Sequence, residues 1–224
     1  MSYKKSEKLY IQPRDMNIFK FLDRVGYANV RHVAAWLGLV GEKSEAVVLR
    51  RLYLLRRFGY IKTFSSMSGN YYALDRLGAG ENALIRAIKL EQLPHHDFLV
   101  ELFLVVKDEE VLTEREAIAQ FKVVGRKGRI PDMIINDWVI EYERTNKSVA
   151  DTKAVVDYWT GEQAKNLCVV YELEQIKNRY SELVNPRVRL IDSKNVAQIL
   201  QILKDENNII SSDKILTDIK NKYL

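Results

Sequence analysis

Ile130-Pro131-Asp132-Met133-Ile134-Ile135-Asn136-Asp137-Trp138-Val139-Ile140-Glu141-Tyr142-Glu143 is the stretch on which the fold of the second half turns. Two β-forming runs flank Asn136-Asp137, a dipeptide suited to a tight turn, so the segment reads as a β-hairpin. On the second strand Glu141 and Glu143 are two residues apart and share a face, while Asp132 sits at the open end of the first. Folding the hairpin about its turn brings Asp132 beside the Glu141–Glu143 end. Three converging carboxylates repel one another unless a cation lies between them. Hard Mg2+ or Mn2+ is the expected ion, able to activate water or to clamp a phosphodiester. The competing expectation is a solvated hairpin face with Arg129 and Arg144 as ion-pair partners.

Working outward, Ser148 is a good helix cap, Asp151 completes an S-x-x-D box, and Val149, Val156 and Trp159 are expected to form the inward stripe of the helix that follows. Lys153, four after Val149 and three before Val156, then borders the buried face. Upstream, Glu101 stands alone within the apolar run 98–106, where burial demands an ion pair or a cation, unless the residue faces solvent from a helix edge. Downstream, residues 166–171 read as a buried strand, 173–183 as a helix, 187–191 as a strand and 194–203 as a helix. The tail, 205–224, is polar with a short amphipathic pattern and docks on the body or on a partner.

The front half has a different character. Residues 1–96 hold 16 Lys/Arg against 8 Asp/Glu, whereas residues 97–224 hold 19 against 22. A basic front suggests phosphate binding. Its first helix is expected over 13–25, stopped by Gly26, and its second over 29–37 with Asn29 as cap. A third begins near Ser44, with Val48, Leu52 and Leu55 inward and Arg50, Arg51, Arg56 and Arg57 over the remaining surface, and Gly59 stops it. Two β-rich runs, 60–64 and 71–74, then enclose a turn-rich loop. A further helix over 77–90 is expected to link two domains, with the boundary at Pro94. His95 and His96, at that junction, are read as helix caps before catalysts.

Helix, helix, basic helix and hairpin in that order resemble the winged-helix domains of many bacterial DNA-binding proteins. The resemblance implies that the third helix enters the major groove, with Lys43, Arg50, Arg51, Arg56, Arg57 and Lys62 contacting DNA. The alternative is an ordinary solvated face on a domain that mediates protein contacts.

Pro131-Asp132 followed by Glu141-Tyr142-Glu143 resembles the PD-(D/E)XK phosphodiesterase signature of restriction-endonuclease-like folds. That resemblance implies Asp132, Glu141 and the Tyr142 backbone carbonyl as metal ligands, Glu101 as a further candidate ligand, and an αβββαβ core. Glu143 stands where the signature has lysine. In part of that superfamily the lysine moves to the next helix, where Lys153 lies. Asp132, Glu141, Glu143 and Lys153 are thus the expected catalytic set, with Arg126, Lys127 and Arg129 holding the DNA backbone. The combination also resembles the plasmid replication-relaxation group and its MobC-like relaxases, which nick a plasmid at its transfer origin.

The expectation is therefore a mixed α/β chain, with a winged helix-turn-helix domain over 10–92 and a nuclease-like αβββαβ domain over 95–204. The expected function is a Mg2+- or Mn2+-dependent relaxase acting on double-stranded plasmid DNA, with accessory relaxosome or coupling proteins as partners. Its alternative is a non-enzymatic DNA-binding regulator or replication accessory protein with a degenerate nuclease-like domain. One cysteine, Cys168, excludes an internal disulfide, and no membrane span or signal peptide is read, so a cytoplasmic location is expected.

Overall fold

The computed structural model describes residues 9–39, 41–79, 90–121, 129–145, 147–162, 165–183, 185–195, 198–199 and 201. It is a mixed α/β structure with helices and two sheets, and divides into two compact units, 1–133 and 134–224. Among the described residues no helix is long and apolar enough to cross a membrane. Arg126, Lys127, most of the expected linking helix and the 205–224 tail lie outside the described residues.

The first unit opens with helix α1, Pro13–Val25, where Pro13 fits a first turn that needs no N–H and Gly26 ends the helix at φ +87°. A short strand β1, Tyr27–Asn29, follows, then α2, Val30–Trp36, capped by the Asn29 side chain, which accepts from the His32 N–H at 3.0 Å. Helix α3 spans Glu42–Arg57. Its Val48, Leu52 and Leu55 are buried, as their spacing of four and three requires of one helical face. Strands β2, Ile61–Ser66, and β3, Gly69–Leu74, form a hairpin, and the antiparallel sheet runs in the order β1-β3-β2. Three residues of β1 are too few for a periodic signal, so this strand was not legible beforehand.

A single helical turn α4, Arg76–Ala79, closes the hairpin, and Gly78 is required there because a Cβ would lie 2.1 Å from the Tyr60 carbonyl oxygen. Helix α5, Leu93–Val105, takes Pro94 into its first turn, so Pro94 starts a helix instead of marking a boundary. Phe103 of α5 stacks with Phe21 of α1 and Trp36 of α2, at centroid distances of 6.2 and 5.8 Å, which ties α5 to the first unit's core. Strand β4, Val111–Thr113, and helix α6, Glu114–Phe121, complete the unit, with Arg24 of α1 bonded to Glu116 at 2.7 Å.

In the second unit, β5, Met133–Ile135, which straddles the division, and β6, Trp138–Glu143, are joined by a two-residue turn with Asn136 at φ +53°. Only a tight antiparallel connection is that short. Helix α7, Val149–Val156, starts at Ser148, whose Oγ accepts from the Asp151 N–H at 3.0 Å, and continues into a π-helical stretch, Asp157–Glu162. Strand β7, Asn166–Tyr171, helix α8, Glu174–Ser181, and strand β8, Val188–Asp192, follow. β6, β7 and β8 are parallel neighbours, with β7 and β8 each reached by a helical crossover. That placement explains why β7 is a nearly continuous apolar run and why every residue of β6 is buried: strands covered on both faces have no solvent side.

Two sequence expectations are corrected here. The inward face of α7 consists of Thr152, Val155 and Val156, with Trp159 beyond it, while Val149 is 60 % exposed in the first turn. Lys153 consequently stands on the exposed side of the helix instead of bordering its buried face. The expected helix, three strands, helix, strand order is also interrupted, since α6 intervenes between β4 and β5.

Candidate functional site

Within the first unit, the chemistry-bearing surface is the outward side of α3. Lys43, Arg50, Arg56 and Arg57 are exposed there, opposite the buried Val48, Leu52 and Leu55. Lys62 on β2 lies 5.2 Å from the centre of the Phe64 ring, adding a cation beside the hairpin. Arg51 behaves differently. Its Nε donates to Asp15 Oδ1 at 2.7 Å, its Nη2 pairs with Oδ2, and the same nitrogen donates to the Tyr10 carbonyl at 2.8 Å.

Burial pushes the Asp15 carboxyl upward, but Arg51 and the Gln12 N–H outweigh it and hold the group below its ordinary value. Arg51 is raised in return by that bond. The expected DNA contact at Arg51 is therefore corrected to a packing role, because its guanidinium is spent on a fully buried acid. Nothing local in the sequence links positions 15 and 51; only the tertiary packing of α3 beside α1 does so.

Glu101, expected as a buried carboxylate, projects from α5 with its side chain 66 % exposed, and its Oε1 is 3.8 Å from His32 Nε2. The apolar neighbours that suggested burial cover the other side of α5, where Val100, Leu102 and Phe103 pack. Asp132, near the end of the first unit, accepts or shares a proton with His95 Nε2 at 3.1 Å. His96 Nε2 bonds the Tyr27 carbonyl at 2.7 Å while its ring stacks on Tyr27 at 3.6 Å. His96 and Asp132 border a cavity of about 50 Å³ whose arginines, Arg24 and Arg115, are already paired with Glu116 and Asp23. Neither histidine is a simple helix cap.

In the second unit, Glu141 and Glu143 share one face of β6, as their spacing required, and both are buried. Glu141 Oε1 accepts from the Trp159 indole N–H at 2.9 Å. Glu143 Oε1 accepts from the Tyr180 hydroxyl at 3.0 Å and pairs with Lys147 four residues on. Buried carboxylates without such donors would each cost several kcal/mol. Here an indole, a phenol and an ammonium compensate them. Tyr142, between the two, has its backbone in the ladder to β7 opposite Val170. Arg144 bonds Glu172 at 2.8 Å, so it is not the partner of the acidic face. Lys147, not among the expected site residues, pairs with Glu143; that i, i+4 spacing is readable only where the strand end and the loop are known to fold back.

Within its own unit each carboxylate has a donor: His95 for Asp132, Trp159 for Glu141, and Lys147 and Tyr180 for Glu143. Among the described residues no group of three His, Cys, Asp or Glu side chains is gathered closely enough to hold a metal ion. Compared with protein-family models, with curated proteins and with solved structures, the chain matches none of them.

Proposed function

We propose that this chain is a duplex-DNA-binding protein whose residues 13–74 act as a winged helix. The observation that carries the reading is the helix and strand order α1-β1-α2-α3-β2-β3, with its sheet in the order β1-β3-β2 and four exposed cations on the outward side of α3. In that arrangement α3 lies in the major groove, Arg50 and Arg57 reach base edges and phosphates, and the β2–β3 hairpin follows the adjacent backbone. Arg129, at the end of the first unit, adds a further cation. The experiment is a fluorescence-anisotropy titration of labelled duplex over a salt series. Arg50→Ala or Arg57→Ala weakens binding and lowers the slope of log affinity against log salt by about one each. Unchanged affinity and slope in both variants would assign α3 to protein contacts.

Strand nicking at a plasmid transfer origin, as in a relaxase, is the second reading, and Glu141 and Glu143 favour it. Two carboxylates lie on one buried face of a sheet strand, each held by donors, and phosphodiester chemistry is one use for such a pair. Lys147, which pairs with Glu143, would be a cation at that face in addition to the expected Lys153. Supercoiled plasmid carrying the origin, incubated with Mn2+ or Mg2+, is converted to open circles by wild type and not by Asp132→Ala if this reading holds. Plasmid that stays supercoiled while being shifted on a gel leaves a DNA-binding regulator or replication accessory protein.

A further inference from the structure

Residues on the outward side of α3 are not uniformly basic. Val47, Leu49 and Tyr53 are 45, 46 and 61 % exposed, beside Arg50 on the same helix, and a shallow groove runs between Leu49, Arg50, Tyr53 and Leu54. Isolated exposed apolar residues are common on any surface. Here Leu49 and Tyr53 are one turn apart and Val47 and Tyr53 each lie one turn from Arg50, so apolar and cationic side chains share one strip, and such a strip marks a contact surface.

Resting on the DNA-binding reading above, we infer that this strip reads thymine C5-methyl groups in the major groove, so that the target is a specific duplex containing thymines beside the base pair that Arg50 contacts. Val47, Arg50 and Tyr53 follow one another at three-residue spacing and lie along one side of the helix. Six residues of helix span about 9 Å, close to the rise of about three base pairs. The major groove offers the two chemistries that this surface combines: guanine N7 and O6 for a guanidinium, and thymine methyls for apolar side chains.

Charge decides between DNA and a second copy of the chain as the occupant. A two-fold contact through this face would set Lys43, Arg50, Arg56 and Arg57 against their own copies. A phosphate-lined groove reverses the sign of that interaction. Binding through phosphates alone would leave the three apolar side chains in water with nothing to cover.

The test begins with selection of a bound duplex from a pool of random 20-base-pair DNA by the full chain. The selected duplex is then synthesised with deoxyuridine replacing each thymine in turn, which removes only the methyl group. Wild type loses about fourfold in affinity at each contacted thymine, the value of burying one such group. Val47→Ser or Tyr53→Ser, both at exposed positions, still binds but no longer distinguishes thymine from uracil at one of those positions. Equal binding of all thymine and uracil duplexes, with Arg50→Ala still weakening the complex, overturns the methyl readout and leaves DNA binding intact. If no duplex is retained from the pool, both readings fall, and sedimentation then shows whether the strip joins two copies.

Discussion

Asp15 and Arg51 show how much a single pair fixes. Asp15 has no exposed surface, and Arg51 is the cation bonded to its carboxylate. Removing one member of a buried pair strands the other, at a cost of about 3–5 kcal/mol. Arg51→Ala should therefore lower the urea midpoint strongly while leaving the salt slope of duplex binding nearly unchanged in the fraction that remains folded. Arg50→Ala should do the reverse, since its side chain is exposed. If Arg51→Ala retains wild-type stability, the pair is not the clamp between α1 and α3 described above. Four arginines on one helix were legible in the sequence as a basic surface, but the one turned inward was not. Its partner is 36 positions away, and only tertiary packing brings them together. The same holds for Glu143, whose Tyr180 donor is 37 positions off.

Among elements, α2 and α5 carry a titration that stability should report. Burial holds His32 on α2 down to about 4, with Arg31 adding repulsion, and burial likewise holds His96 on α5 near 4 against the pull of the Tyr27 carbonyl. His32 is the more enclosed of the two, and its nearest acid, Glu101, is mostly in solvent. The folded state thus binds fewer protons than the unfolded chain between pH 6.5 and about 4. Stability is full above pH 6.5 and falls as pH drops through that window, by on the order of 2–3 kcal/mol for His32 alone. Urea midpoints at pH 7.5 and 4.5 measure it, and His32→Asn should shrink the difference. A midpoint that holds steady across that range would mean that the histidine is open to water. Elements with strong periodicity or clear caps were readable in advance: α1 with Pro13 and Gly26, the Asn136-Asp137 turn, and β7 as a continuous apolar run. β1 was not, because a three-residue strand leaves too short a pattern to separate from loop, and α6 was not read either.

At the scale of the molecule, the exposed cations of α3 and the paired carboxylates of β6 fall in different units. The first presents Lys43, Arg50, Arg56 and Arg57; the second buries Glu141 and Glu143. The two-residue spacing of Glu141 and Glu143 was enough to put them on one face, yet spacing could not say which donors would meet them. Trp159, Tyr180 and Lys147 come from three other segments, and that assembly is a property of the parallel crossovers. The central claim concerns the first unit, that α3 and the β2–β3 hairpin are where DNA is held. Hydrogen–deuterium exchange of the full chain with and without a saturating duplex tests it most directly. The account predicts slowed exchange in peptides covering 42–57 and 61–74, whereas a bound duplex that leaves those peptides unchanged and protects others would contradict it.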